Sequence, residues 1–155
     1  MRKLLLAGGL LVAAMQAHAQ TAVKKPLDHS VYDGWQNVSN ERISNNGKWV
    51  VYAVKPQQGD ADLFITGLSG NNKLKIPRAD TARITSDSKF AVFLIRPFYK
   101  DVRTARIKKK KPTEFPKDTL GIVALGSSNI TKVAGVRSFK IAEKASVLAL
   151  SLIHI

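Results

Sequence analysis

The chain has 155 residues, no cysteine and a net charge of +14. Without cysteine it has no disulfide, no thiolate metal site and no cysteine nucleophile. The charge does not indicate a basic face spread over a nucleic-acid-binding domain, because nine basic and two acidic residues lie together within residues 96–117.

Residues 1–19 have the features of a secretory signal peptide. A basic start is followed by a short apolar stretch, Leu4 to Met15, and then by Ala17-His18-Ala19, the small-x-small pattern that signal peptidase recognises. We therefore predict cleavage between Ala19 and Gln20. The apolar stretch is too short for a membrane-spanning helix, so we expect a periplasmic or secreted protein that meets no membrane after cleavage. Export without disulfides favours a bacterial periplasm.

A ten-residue unit occurs three times along the chain. The copies are ISNNGKWVVY (43–52), ITSDSKFAVF (84–93) and IAEKASVLAL (141–150), each an isoleucine, a polar turn and an alternating apolar strand. A strand-turn-strand unit with a period near forty residues is typical of β-propeller blades. We predict an all-β fold, a partial β-propeller of about two four-stranded blades and the start of a third, over residues 41–149.

Residues 20–40 are predicted to be a lead-in segment, and strands follow. Trp49 to Val54 is a nearly continuous apolar run, as expected for a strand buried on both faces. The pattern predicts one blade from strands at 49–54, 63–68, 74–77 and 81–85. The second blade is predicted from strands at 90–95, 120–125, 130–133 and 136–139.

A basic insertion, residues 97–118, interrupts the second blade. Phe98, Val102 and Ala105 lie at helical spacing, which predicts a short helix ending before Pro112. The candidate contacts for an anion are Arg103, Arg106, Lys108, Lys109, Lys110 and Lys111. The alternative interpretation is a solvated or interdomain loop. Nucleic acid is not expected as a partner, because stacking aromatic residues flank the cations without alternating with them.

Few residues could carry catalysis. A Ser-His-Asp site needs an imidazole between nucleophile and carboxylate, and His29 is the one histidine outside the signal peptide and the last six residues. Residues 67–71 (GLSGN) approach the G-x-S-x-G motif, but the second glycine comes one place early, which favours a hairpin turn. Asp60 and Asp62 offer too few ligands for a calcium loop. We predict no catalytic, metal-binding or cofactor-binding residue and no cofactor.

The last six residues, 150–155, read LSLIHI. They resemble the translation of a transposon end that is used as a sequencing adapter. We expect the natural sequence to end near Ala149, with an assembly artefact after it. The alternative is a natural short apolar tail.

Three long strings resemble the start of exported Bacteroidetes peptidases of the prolyl oligopeptidase family. They are KKPLDHSVYDGW (24–35), ISNNGKWVVYAVKPQQGD (43–60) and ARIKKKKPTEFPKDTLGIV (105–123). The resemblance extends over residues 24–149. It implies an N-terminal propeller that restricts access to short peptides, followed by a C-terminal α/β-hydrolase domain that carries the serine, aspartate and histidine. No position of that triad lies in this chain, so no catalytic residue is carried over.

The leading hypothesis is therefore a propeller fragment of a serine peptidase, whose parent cleaves short peptides after proline or a related small residue. Its partners are the peptide substrate of the parent and the missing hydrolase domain. We expect the fragment to be inactive and poorly soluble, because two blades leave sheet edges and apolar faces exposed. One alternative is a small secreted β-domain that binds an anionic partner through residues 103–111. The other is a non-enzymatic propeller of the TolB-like kind.

Overall fold

The computed structural model describes residues 28–70 and 72–153. The signal peptide with its cleavage site at Ala19 and Gln20 lies outside these residues, as does the first part of the predicted lead-in, residues 20–27. One α-helix, α1 (Tyr99–Ile107), and two short 3-10 helices (His29–Gly34 and Pro112–Glu114) occur among ten strands. The strands are β1 (Gln36–Ile43), β2 (Trp49–Pro56), β3 (Asp62–Gly67), β4 (Lys73–Pro77), β5 (Ala79–Ile84), β6 (Phe90–Ile95), β7 (Thr119–Ala124), β8 (Ile130–Ala134), β9 (Val136–Ile141) and β10 (Leu148–Leu152).

The strands form three antiparallel sheets in chain order. Sheet 1 is β1-β2-β3-β4, sheet 2 is β5-β6-β7-β8, and sheet 3 is the pair β9-β10. Within each sheet, strands that are consecutive in sequence pair with each other through short connections, except that the insertion joins β6 to β7. This confirms the predicted partial β-propeller: two complete blades and the first two strands of a third. In the part of the chain that is described, no helix is long and apolar enough to cross a membrane.

The grouping of strands into blades differs from the prediction. Gln36–Ile43 forms the first strand of sheet 1, although the sequence pattern becomes β-like only from residue 41. Nearly all of this strand is exposed, so it lacks the apolar alternation that marks a strand in a sequence. As a consequence, Ala79–Ile84 opens the second blade instead of closing the first, and Val136–Ile141 opens the third.

The first copy of the repeated unit is a turn closed by a side-chain network. The hydroxyl of Ser44 accepts a hydrogen bond from the N–H of Trp49 at 2.9 Å and donates to Oδ1 of Asn46 at 2.7 Å. The same Oδ1 accepts from the N–H of Lys48 at 3.0 Å. Gly47 supplies the positive φ of 69° that the turn needs.

The second copy repeats this network, and the third does not. Thr85 accepts from the N–H of Phe90 at 3.0 Å and donates to Oδ1 of Asp87 at 2.6 Å. The hydrogen bond from Thr85, followed by one from Ser146, lowers the pKa of Asp87 below its ordinary value. At the equivalent places the third copy has Ala142, which lacks a hydroxyl, and a lysine.

Two apolar layers hold the three sheets together, and β6 contributes to both. Ala91, Phe93 and Ile95 are buried against sheet 1, while Val92 and Leu94 are buried against sheet 3. Because both faces of β6 are covered, its sequence FAVFLI is apolar throughout. The layer between sheets 1 and 2 also contains Val51, Ala53, Leu63, Ile65 and Ile76.

Strand β2 does not have the two-sided burial that its sequence predicts. Val51 and Ala53 are buried against sheet 2, but Val50, Tyr52 and Val54 are only half-buried. These three point to the other face of sheet 1, against which no sheet packs among the described residues. We call this surface the open face and define it by Val38, Ile43, Val50, Tyr52, Val54 and Phe64, which the strand register places on one side of the sheet.

The last described residues belong to β10. Leu150 pairs with Phe139 and Ser151 with Ser138, and after a shift of register Leu152 pairs with Val136, so residues 150–152 extend the third sheet. The origin of residues 150–155 stays a prediction, and residues 154–155 lie outside the description.

Candidate functional site

A single arginine closes the base of the basic insertion. Arg96 follows β6, and its Nε lies 3.0 Å from Oδ1 of Asp80 on β5. Its Nη1 donates to Oδ2 of Asp118, which immediately precedes β7. The planar guanidinium meets each carboxylate with a different nitrogen of a rigid fork, whereas the ammonium of a lysine is a single compact charge on a flexible stem. We call this group the Arg96 clamp; it joins the two ends of the insertion to each other and to β5.

The helix of the insertion is fixed at its first residue. Oδ1 of Asp60, in the loop between β2 and β3, accepts a hydrogen bond from the N–H of Tyr99 at 2.8 Å. This satisfies one of the free N–H groups at the start of α1 and places a negative charge there. The ring of Phe98 lies 4.1 Å from the guanidinium carbon of Arg78, at the junction of the two blades. Asp60 thus belongs to a structural contact.

The helix confirms the predicted secondary structure of the insertion. It ends at Ile107, before Pro112, and its inward side is formed by Val102, which is half-buried, and Ala105, which is buried. The apolar spacing that predicts the helix is therefore the spacing of residues that dock it on the blades. The opposite side of the helix is available to solvent.

The four lysines wrap around the end of this helix in a defined geometry. The N–H of Lys109 bonds to the carbonyl of Arg106, and the N–H of Lys110 to the carbonyl of Ala105, both at 3.0 Å. Lys109 has a φ of 48°. This is a Schellman motif, in which glycine is the usual residue at the left-handed position. Cations also suit this end of a helix, since the helix dipole is negative there.

The six candidate anion contacts lie close together along the chain and in space around this helix end, and all are exposed. Across the described ranges, no ion pair involves any of them. The nearest acidic residues in the sequence, Asp101 and Glu114, lie on either side of these six cations. Glu114 instead accepts from the backbone N–H of Lys111 at 2.9 Å. In the described part of the chain, the six cations are thus not paired with carboxylates.

A cleft of about 480 Å³ lies between the insertion and the ends of sheets 1 and 2. Its charged walls are mostly engaged within the protein. Asp80 and Asp118 bind Arg96, Asp60 holds the start of α1, and Nη1 of Arg78 donates to the carbonyl of Arg96 at 3.2 Å. These three carboxylates and two guanidinium groups therefore hold the insertion against the two blades.

The residues considered for catalysis are not brought together. The ring of His29 packs edge-on against Tyr32, with centroids 5.1 Å apart. Strands β3 and β4 form a hairpin, closed by a 2.8 Å hydrogen bond from the N–H of Gly67 to the carbonyl of Asn72, and the N–H of Gly70 bonds to the carbonyl of Gly67 in the turn predicted for the GLSGN stretch. Within residues 28–70 and 72–153, no group of three or more His, Cys, Asp or Glu could hold a metal ion.

No protein-family model and no curated protein sequence matches the chain. Solved structures do. The β-propeller domain of the Trilobed protease from Pyrococcus furiosus matches with a TM-score of 0.51 and 19% identity, over 75% of this chain and 34% of that one. Its propeller is described as having an open velcro topology.

Two acylaminoacyl peptidases match in the same way. One, in complex with Z-Gly-Gly-Phe-chloromethyl ketone, has a TM-score of 0.52 and 17% identity, over 75% of this chain and 17% of that one. The other, from Pyrococcus horikoshii, has a TM-score of 0.53 and 15% identity, over 77% of this chain and 18% of that one.

These likenesses show the fold. The matched regions are the propeller domains of peptidases of the prolyl oligopeptidase family, the family that the sequence strings resemble. The chain spans only 34% or less of the matched chains' own length.

Proposed function

We propose that the chain is the N-terminal propeller segment of an exported serine peptidase of the prolyl oligopeptidase family. In the parent protein, a C-terminal α/β-hydrolase domain hydrolyses short peptides, and the propeller restricts access to it. The segment contributes no catalytic residue. The propeller fold, the likeness to three peptidase structures and the sequence strings that resemble this family all support the proposal.

The open face of sheet 1 carries the proposal. Alternate residues of β2 from Val50 to Val54 hold the same places as alternate residues of β6 from Ala91 to Ile95, which follow 41 positions later. In β6 these side chains are 0%, 0% and 9% exposed, because sheet 1 covers them. In β2 no sheet covers their equivalents in the described part of the chain, although the residues are as apolar.

Leaving the apolar side chains of the open face exposed to water is unfavourable in free energy. Ile43 is 69% exposed and Val38 is 56% exposed, both on the open face. Burying an aliphatic side chain of this size stabilises a protein by about 1.5–3 kcal/mol. A further sheet packed against this face recovers that energy, and blades arranged around a ring supply such a sheet. The open face is therefore suited to a larger propeller than this chain can form.

An experiment on the natural protein tests the proposal. Antibodies raised against residues 36–153 capture the protein from the exported fraction of the source bacterium. The captured protein is then treated with a fluorophosphonate that labels active serine hydrolases. We expect a captured species far longer than 155 residues that is labelled, and whose labelling is slowed by short proline-containing peptides. A heat-denatured sample is the control. Capture of an unlabelled species of 155 residues or fewer contradicts the proposal.

The two alternatives predict other outcomes of the same capture. A TolB-like propeller gives a long species that is never labelled. A small anion-binding β-domain gives a short, compact monomer. The observation that favours this alternative is the group of unpaired cations in the insertion. Each of these results replaces the peptidase proposal.

A further inference from the structure

We propose that the end of the insertion binds an anionic lipid surface. The cationic tip consists of Arg103, Arg106 and the run Lys108–Lys111, together with Ile107. The proposal does not depend on the peptidase function. It differs from the expectation that the chain meets no membrane once the signal peptide is removed.

The tip is held in place, unlike a freely solvated run of charges. The Schellman motif fixes the backbone of Lys109 and Lys110 against the last turn of α1. The helix in turn is held by Asp60 at its start, by Ala105 on its inner side and by the Arg96 clamp at its base. Little conformational freedom remains to be lost when these backbone positions meet a surface, and preorganisation of this kind favours binding.

The charge of the tip calls for an anionic partner. Its six cations make no ion pair among the residues that the structure describes, and the whole chain is positively charged. A second copy of the chain is therefore repelled. Clusters of four to eight basic residues beside an apolar anchor are typical of surfaces that bind anionic lipid headgroups.

Ile107 distinguishes a lipid surface from a purely polar anion. Its side chain is 69% exposed and lies between Arg106 and Lys108 in the chain. Around the helix it falls on the same outward side as Lys100 and Arg103, opposite Val102 and Ala105. An apolar side chain among cations can enter the boundary between headgroups and acyl chains while the cations meet the phosphates.

Nucleic acid fits the tip less well because the nearby aromatic rings are engaged. The ring of Phe98 contacts the guanidinium of Arg78, at 4.1 Å, and the ammonium of Lys100, at 5.6 Å. The hydroxyl of Tyr99 bonds to Gln58 at 3.3 Å, and Phe115 is half-buried. Binding of single strands relies on free rings for base stacking.

Flotation of the mature chain, residues 20–155, with vesicles tests the proposal, because the apolar signal peptide is then absent and aggregated protein does not float. The vesicles are phosphatidylglycerol mixed with phosphatidylcholine, and phosphatidylcholine alone. We expect binding to the anionic vesicles only, and its loss in about 1 M salt, where the Debye length shrinks to about 3 Å. Heparin and polyglutamate serve as anionic polymers, and inorganic phosphate is added as a free competitor.

Two sets of substitutions separate local from overall charge. The test variant changes the four residues Lys108–Lys111 to glutamine. The control changes four exposed lysines elsewhere to glutamine: Lys48, Lys89, Lys132 and Lys140. Each cation at an anionic leaflet strengthens binding roughly fivefold. We expect the test variant to bind the vesicles at least tenfold more weakly and the control less than twofold, with the same far-ultraviolet circular dichroism in both.

Ile107→Ser then tests for lipid. We expect this variant to bind anionic vesicles roughly three- to tenfold more weakly, since it loses the buried aliphatic side chain, while its binding to heparin is unchanged. Three results overturn the proposal: no binding of the wild type to anionic vesicles, equal losses in the two lysine variants, or unchanged vesicle binding in Ile107→Ser. Competition by millimolar phosphate also overturns it, in favour of a free-anion site.

Discussion

Gly121→Ala tests the packing of sheet 2 at its most crowded point. Gly121 on β7 lies opposite Phe93 on β6, whose ring is fully buried. A Cβ atom at position 121 would lie 2.3 Å from Cε2 of that ring, about 1.1 Å inside the 3.4 Å at which ordinary contact begins. Overpacking of this kind costs about 1–3 kcal/mol, and replacing a strand glycine by alanine returns about 0.5–1 kcal/mol. We expect a net loss of about 1–2 kcal/mol.

Urea unfolding in dilute solution, followed by tryptophan fluorescence, measures this loss. With a slope of about 2 kcal/mol per molar urea, the midpoint falls by roughly 0.5–1 M. Gly34→Ala is the matched control, because a Cβ there meets nothing within 4 Å and its φ is not positive. We expect that control to change the unfolding free energy by less than about 0.5 kcal/mol.

A double-mutant cycle with Phe93→Leu isolates the contact. Leucine leaves room for the methyl group that alanine adds at position 121. We therefore expect Phe93→Leu to cost about 1 kcal/mol less in unfolding free energy when residue 121 is alanine than when it is glycine. If Gly121→Ala leaves stability unchanged or raised, or if the two substitutions simply add, the close packing of this ring on the glycine is refuted.

Three further predictions follow from the fold. Thr85→Val is expected to raise the pKa of Asp87 towards its ordinary 3.8, because the hydrogen bond from Thr85 is the main cause of its lowered value; carbon NMR of the carboxyl group measures this. A lowered pKa stabilises the fold above pH 3.8 and loses that effect as the pH falls through the folded value, so acid reduces the stability of the wild type more than that of the variant. Arg96→Lys opens the Arg96 clamp while keeping the number of tryptic sites, so trypsin is expected to cut the insertion faster and stability to fall by about 1 kcal/mol; an unchanged digestion rate argues against the clamp. Tyr52→Ala and Phe93→Ala change equivalent positions in successive blades, yet we expect about 1 kcal/mol for the half-buried ring and about 3–5 kcal/mol for the buried one, so that equal losses in urea unfolding contradict the open face.

The strands that the sequence predicts well are those that face a core. Strands β2, β3, β6 and β7 alternate or are wholly apolar, so their positions follow from the pattern to within about two residues. Strand β1 could not be predicted from its own residues. Its conformation depends on pairing with β2, and almost none of its side chains are buried. Missing one exposed strand shifted the predicted blade boundaries by a strand.

The candidate site could also be predicted only in part from the sequence. The exposed cations could be predicted from the sequence, since a run of lysines can hardly be buried. The Arg96 clamp could not, because Arg96 is 16 residues from Asp80 and 22 from Asp118, and only the pairing of β5, β6 and β7 brings them together. The Schellman motif was equally hidden, because Lys109 stands where glycine normally marks it.

The sequence of the genomic DNA that follows codon 149 decides whether this chain is part of a longer peptidase. We expect an open reading frame that continues through further blades to a G-x-S-x-G motif and a late histidine. A genuine stop codon at that point, in DNA free of adapter sequence, would contradict it.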